Sequence, residues 1–253
     1  STKANQIAKQ SFNLVDSFVL IFSDYIDSSE LSKLSKTAVN NAAPVTVSPA
    51  LFDILLLSKK AFDKSHGAFD ITMGPLTKLW RKMRREKIFP TDEAVQQKRK
   101  LTGFNKILID TAGKKVTLTK PGMQLDLGGI GQGYIAQKII DYLKQYDISS
   151  IDQLIISHPH ADHIGGMIPL LKKLAVKSLI DTGFKTTNSQ YMQILKFVKE
   201  KNIGYTIPEK NEILTFDDNV TAKVLNVAHI VPENILYANN SSIVLKMQFF
   251  NIS

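Results

Sequence analysis

Cysteine is absent from this chain of 253 residues. That excludes disulfides, thiolate metal ligands and a cysteine nucleophile, and it leaves the redox compartment open. No apolar run reaches the ~18–20 residues that span a bilayer, and no basic-then-apolar leader opens the sequence. Because the chain starts at Ser1 rather than at methionine, the expectation is that a leader or anchor has been removed. Internal repeats and low-complexity tracts are missing too, which sets repeat architectures aside.

What remains is a folding composition, 43% hydrophobic and 22% charged, enough for one large domain or two modest ones. The net charge of +9 is unevenly placed. Residues 1–145 carry 22 Lys and Arg against 13 Asp and Glu, and residues 146–253 carry 10 against 10. The densest piece is "RKMRREK", Arg81 to Lys87. It is read as a solvated loop or helix face; with no aromatic interleaving, nucleic acid is not expected as a partner.

Residues 4–36 read as helical, with Phe12, Val15, Phe18, Val19 and Phe22 at spacings of three and four and a turn at "DYIDSSE". "PVTVSP" is a brief extended piece, after which Ser48 and Pro49 are the N-cap and first residue of a helix that stops at Gly67. "GAFDITMGP" is expected to be extended and to end in a Gly-Pro turn, and "NKILIDTAGKKVTLTK" reads as a hairpin. "LDLGGIGQGYIAQKIIDYLKQYD" reads as a short strand, a glycine-dense loop and an amphipathic helix. From Ile151 the pattern is strand, loop, helix, strand, helix, followed by late strands at "TAKVLNVAH" and "SSIVLKMQFF".

The densest chemical signal is "SHPHADHIGG", which holds His158, His160, Asp162 and His163 within six positions. His158 and His160, two apart in an extended loop, can share one cation, and Asp162 with His163 can serve a second. Imidazole and carboxylate suit zinc, iron or manganese, and paired ions clamp a hydroxide for hydrolysis. The plainer alternative is a solvent-exposed histidine-rich loop.

"IDQLIISHPHADHIGGMIPLLKKL" resembles the metallo-β-lactamase superfamily, most of all the hydrolase domain of bacterial DNA-uptake channel proteins. The resemblance implies that His158 and His160 bind the first metal and Asp162 and His163 the second, with Asp162 also orienting the nucleophile. It continues into "NNSSIVLKM", similar to the family's Asn-Ser-Val strand. The family's opening strands and its bridging Gly-Asp aspartate have no counterpart here, so weak or mononuclear binding is expected. His229 is either a further ligand or an ordinary strand-end histidine.

"FSDYIDSSELSKL", "GAFDITMGPLTKLW" and "LDLGGIGQGYIAQKI", in that order, resemble the FAD:protein FMN transferases, which move FMN from FAD onto a protein threonine. Carried over by position, Asp27, Ser29 and Glu30, then Phe69, Asp70 and Thr72, then Gly128, Gly129, Gly133 and Tyr134 would line or shape the flavin site. The glycine-rich turn suits an approach of backbone amides to a pyrophosphate. Gln132 and Gln137 stand where the family usually has Lys and Asp. The family's second half, with its magnesium ligands, has no counterpart, so a magnesium site is not expected.

Together these readings imply a mixed α/β (α+β) hybrid. An FMN-transferase-like part, 1–141, joins a metallo-β-lactamase-like part, 142–253, through a shared helix-strand unit within 134–151. The expected functions are metal-dependent hydrolysis of a small-molecule or phosphodiester substrate, flavin binding with FMN transfer, or a stable hybrid with neither activity. The family resemblance suggests a site outside the cytoplasm, and oligomeric state is left open.

Overall fold

The first described helix, α1 (Thr2–Phe22), takes its helical form from apolar residues recurring at helical spacing, but the buried stripe differs from the expected one. Phe18 and Phe22 are buried, with Leu14 and Ile21 packed beside them, while Phe12 is 71% exposed and Val19 lies at the surface. Those four inward positions fall on one face of a 3.6-residue turn, and Phe12 lies off it. The computed structural model describes residues 2–227 and 235–249, and His229 falls outside them. The chain divides into two units, Ser1–Ile135 and Ala136–Ser253.

In the first unit, α2 (Glu30–Lys36) starts at Ser29, whose hydroxyl accepts the Ser32 amide, with Glu30 in its first turn and Lys33 and Lys36 in its last. That charge order suits the helix dipole. α3 (Pro49–Lys64) begins as the sequence predicts: Ser48 accepts the Leu51 amide and Pro49 sits where no amide partner is needed. β1 (Val45–Thr46), β2 (Ile107–Asp110) and β3 (Lys115–Leu118) form an antiparallel sheet in the order β1-β3-β2, with Ile107 opposite Leu118 and Val45 opposite Val116. The expected hairpin is therefore present.

Two local expectations fail here. "GAFDITMGP" is not extended to its end: Asp70 is extended, Ile71–Met73 form one 3-10 turn, and Gly74 and Pro75 open α4 (Gly74–Glu86) instead of closing a turn. Proline fits there because first-turn amides need no helical partner. Gly74 is required by crowding, since a Cβ on it would lie 2.5 Å from the Gln124 carbonyl oxygen. "LDL" is not a strand either. Asp126 donates one backbone bond to the Ile71 carbonyl, 2.8 Å, and the chain then turns into α6 (Gly131–Lys144). Between these, α5 (Asp92–Arg99) is capped by Thr91 and buries no residue.

The second unit has α/β character. β4 (Ser150–Ile155), β5 (Ala175–Ile180) and β6 (Gly204–Thr206) are parallel in the order β4-β5-β6. α7 (Ala161–Ile164) and α8 (Met167–Lys173) connect the first pair, and α9 (Ser189–Glu200) the second. Ile164, Leu171, Ile194 and Val198 cover the sheet against Ile156 and Leu179. A second, antiparallel sheet of β7 (Ile213–Asp217), β8 (Val220–Asn226) and β9 (Val244–Phe249) adds Leu214, Val224 and Leu245 to a cluster with Ile155 and Ile180. The fold is mixed α/β with several small sheets, the class expected.

Candidate functional site

In the first unit, the three motifs meet through named contacts. Arg81 of α4 donates to Asp24 at 2.7 Å and to Asp126 at 2.8 Å, so one guanidinium joins the turn after α1 to the loop before α6. Burial alone would lower the pKa of Arg81, but Asp24 and Asp126 outweigh it and hold the group above its usual value. The guanidinium also lies over the Tyr25 ring, 4.2 Å from its centroid. Asp126 carries the backbone bond to Ile71, and a Cβ on Gly129 would stand 3.0 Å from the Phe69 ring. Arg81 and Asp126 were not among the expected site residues; the signal was an arginine at the head of a basic run.

Several expected flavin residues are engaged in holding the backbone. Ser29 is fully buried as the α2 cap, and Glu30 accepts the Ser48 amide at 2.6 Å. Asp70 accepts both the amide of Thr72, at 2.8 Å, and its hydroxyl, at 2.7 Å; the buried Thr72 hydroxyl in turn accepts the Gly103 amide at 2.6 Å. Tyr134 packs edge-on against Phe18 and Phe22 and donates to Asp53 at 2.9 Å. Burial and the Asp53 carboxylate both push its hydroxyl pKa well up. Asp27 is almost fully exposed.

The glycine-rich turn is folded on itself. The Gly128 amide donates to Asp126 at 2.9 Å, and the amides of Ile130 and Gly131 donate to the Leu127 carbonyl at 3.0 and 2.7 Å. Those three amides are thus engaged within the turn itself. A Cβ on Gly133 would meet nothing within 4 Å, so that position is open.

In the second unit, the histidine loop leaves the C-terminal end of β4, the end at which parallel sheets place ligands. His158 and His163 have ring centroids 3.8 Å apart, and His158 and His160 4.8 Å apart. The loop is pinned by hydroxyls and an amide: Ser157 Oγ lies 2.9 Å from His163 Nδ1, Ser242 Oγ 3.1 Å from His158 Nδ1, and Asn239 Oδ1 3.1 Å from His160 Nδ1. His158 is buried, His160 half-buried and His163 exposed. The Asp162 side chain and all of His229 lie outside what is described. Among the described residues no group of three or more His, Asp or Glu is arranged to hold a metal ion. The imidazoles have the chemistry for zinc; their described arrangement does not form its cage.

Asn239 and Ser242 were foreseen only as part of a strand. Asn239 sits in a 3-10 turn, Ile235–Ser241, and the strand starts at Val244. β4 is an end strand, with β5 as its neighbour among the described residues, so nothing preceding Ile151 pairs with it there.

Asp181, just past β5, went unnoticed in the sequence. It is fully buried and accepts from the hydroxyls of Tyr191 and Tyr205, the latter at 2.6 Å. Its Oδ1 has no hydrogen-bond partner among the described residues. Burial and then the Asp181 charge raise the Tyr191 pKa, and burial and the bond to Asp181 raise that of Tyr205. "IDTG" after an apolar run gave no cue beyond a strand end.

Residues 1–152 match the model of the ApbE family, and residues 105–219 match that of the metallo-beta-lactamase superfamily. A FAD:protein FMN transferase of Klebsiella pneumoniae is 37% identical over 113 residues, 44% of this chain and 36% of the relative. That of Haemophilus influenzae is 30% identical over 127 residues, 49% of this chain and 36% of the relative. Among solved structures, the flavin transferase ApbE from Vibrio cholerae superposes with a TM-score of 0.54 at 26% identity, covering 58% of this chain and 47% of that one. The Thermotoga maritima ApbE protein gives 0.52 at 25%, covering 57% and 46%. The chain thus spans between a third and a half of the length of these relatives.

Proposed function

Because the chain belongs to the ApbE family, we propose that its first unit is a flavin-holding body serving the transfer of FMN from FAD onto a protein hydroxyl. One observation carries the reading: Arg81 ties Asp24 of the first motif to Asp126 of the third, while Asp126 bonds to Ile71 of the second. Segments far apart in sequence are thereby held at one place, as a ligand site built from loops requires.

In such a transfer the acceptor oxygen forms a bond to the FMN phosphorus as the diphosphate bond breaks and AMP leaves. The residues of this chain contribute positioning. Phe69 against Gly129 supplies an apolar wall, and the Asp70–Thr72–Gly103 bonds fix that wall in place. Gly133, where a Cβ would meet nothing within 4 Å, and the exposed Asp27, whose carboxylate makes a loose contact with Lys36 at 3.8 Å, are accessible to a ligand. Titration with FAD, followed by flavin fluorescence, is expected to saturate for the full chain and to weaken at least tenfold in Arg81→Met, about 1.4 kcal/mol. Absence of saturable binding at high micromolar FAD would reject the reading.

The second unit suggests metal-dependent hydrolysis, supported by three clustered imidazoles at the end of a parallel strand and by the superfamily match. In this reading His158, His160, Asp162 and His163 are the ligands, with His229 a further one, and the substrate is a small molecule or phosphodiester. Kinship with the DNA-uptake hydrolases, a splice between parts 1–141 and 142–253, and a location outside the cytoplasm belong to the same proposal. Titration of the full chain with zinc tests it: absence of saturable binding at high micromolar metal, or binding unchanged in His158→Ala, rejects the hydrolase reading.

A further inference from the structure

The basic run that the flavin reading leaves unused forms one side of a helical hairpin, α4 and α5, joined by residues 87–91. Residues 78–100 contain nine Lys and Arg and three acidic residues, Glu86, Asp92 and Glu93, and so account for most of the chain's excess charge. Lys78, Arg81, Lys82 and Arg85 recur at helical spacing on one face of α4, with Arg84 beside them. Arg81 is neutralised by Asp24 and Asp126, and Lys82 has only a loose contact with Glu86 at 3.9 Å. Together with Tyr25, these five cations line a cavity of about 560 Å³.

At the tip, Lys87 takes a left-handed conformation and ends α4, and the chain then presents Ile88, 56% exposed, and Phe89, 84% exposed. Trp80, 47% exposed, meets Phe89 edge-on with centroids 6.4 Å apart. A water-facing tip of Ile, Phe and Trp bordered by lysine and arginine is unfavourable in a purely solvated surface. It matches an interfacial element, in which rings and aliphatic groups enter the acyl boundary while cations meet lipid phosphates.

We propose that the α4–α5 hairpin docks on an anionic lipid surface, with Trp80, Ile88 and Phe89 entering the interface and Lys78, Lys82, Arg84 and Arg85 binding phosphate headgroups. A single-stranded nucleic acid, whose bases could stack on Trp80 and Phe89, is the competing ligand that the experiment separates from lipid. The inference does not depend on flavin binding.

Trp80 is the only tryptophan, so its emission reports on the tip directly. The full chain is mixed with vesicles of phosphatidylcholine containing about a third phosphatidylglycerol, and with vesicles of phosphatidylcholine alone. The expected result is co-sedimentation and a blue shift of Trp80 emission with the anionic vesicles only, both reduced by salt. Phe89→Asp is expected to abolish the shift, and Arg84→Ala and Arg85→Ala each to weaken partition roughly fivefold; all three positions are exposed, and circular dichroism checks that each variant is folded. No co-sedimentation, or co-sedimentation without a shift that is indifferent to Phe89→Asp, overturns the proposal. So does quenching of Trp80 by a single-stranded oligonucleotide when vesicles have no effect.

Discussion

Residues 1–135 gather one continuous apolar cluster from Phe18 to Tyr134, and their polar side chains are largely engaged in capping helices and tying loops. Residues 136–253 divide their apolar side chains between two smaller clusters, and buried polar groups gather where the parallel strands end, at His158, Asp181 and Thr182. The first arrangement fixes a shape with polar groups already satisfied. The second places groups with chemical capacity, including an Asp181 oxygen with no described partner, at the ligand-binding end of a sheet. A buried polar group without a full set of partners costs stability, so its presence there points to use rather than support.

The largest expected effect tests the first unit. Tyr134→Ala removes a ring packed on Phe18 and Phe22 and leaves Asp53 without its hydroxyl donor, and urea unfolding should show a loss of about 3–5 kcal/mol. Next is Asp181→Ala, which strands two tyrosine hydroxyls and should cost about 1–2 kcal/mol, less than Tyr134→Ala. A near-neutral result would mean that the polar cluster of the second unit does not hold its sheet, and the contrast would sharpen. A loss equal to that of Tyr134→Ala would break it.

Alkali probes the same pair. Tyr191 has a higher pKa folded than its ordinary value of 10, so its contribution to stability is intact below pH 10 and declines as pH rises above that. The slope should approach about 1.4 kcal/mol per pH unit for this one group, seen as a falling urea midpoint, and Tyr191→Phe should flatten it. Tyr134 acts in the same direction from the first unit, and Tyr134→Phe separates its share. The smallest effect belongs to the exposed pair Lys59 and Asp63, one helical turn apart on α3, where Lys59→Ala should cost about 0.3–0.5 kcal/mol and lose even that in high salt.

Local chemistry made much of the fold legible. Ser48 and Pro49 announced α3, the "TAGKK" link announced β2 and β3, and the apolar runs from Ile151 onward announced strands and helices. Gly74 and Pro75 misled because the same pair closes a turn or opens a helix, and only the nearby Gln124 carbonyl decides. The stripe on α1 was misjudged for a similar reason: which face of a long apolar helix is inward depends on distant residues, here Tyr134. In the candidate sites, runs of histidine and glycine were visible because their members are neighbours in sequence. Arg81 with its two aspartates, and Asp181 with its two tyrosines, were not, since each is assembled by folding from separate segments.

The Phe18, Phe22 and Tyr134 cluster also sets an order in time. On a ribosome, α1 emerges with its apolar face bare, and the ring that covers it lies more than a hundred residues downstream. At the usual pace of synthesis that interval is on the order of ten seconds. Loop closure over such a span is slow compared with forming the neighbouring strand-helix-strand units of the second unit. α2 and α3 can cover part of α1 early, but the Phe18 and Phe22 rings lack their Tyr134 partner, and stay open to chaperones and self-association on that side, until α6 arrives.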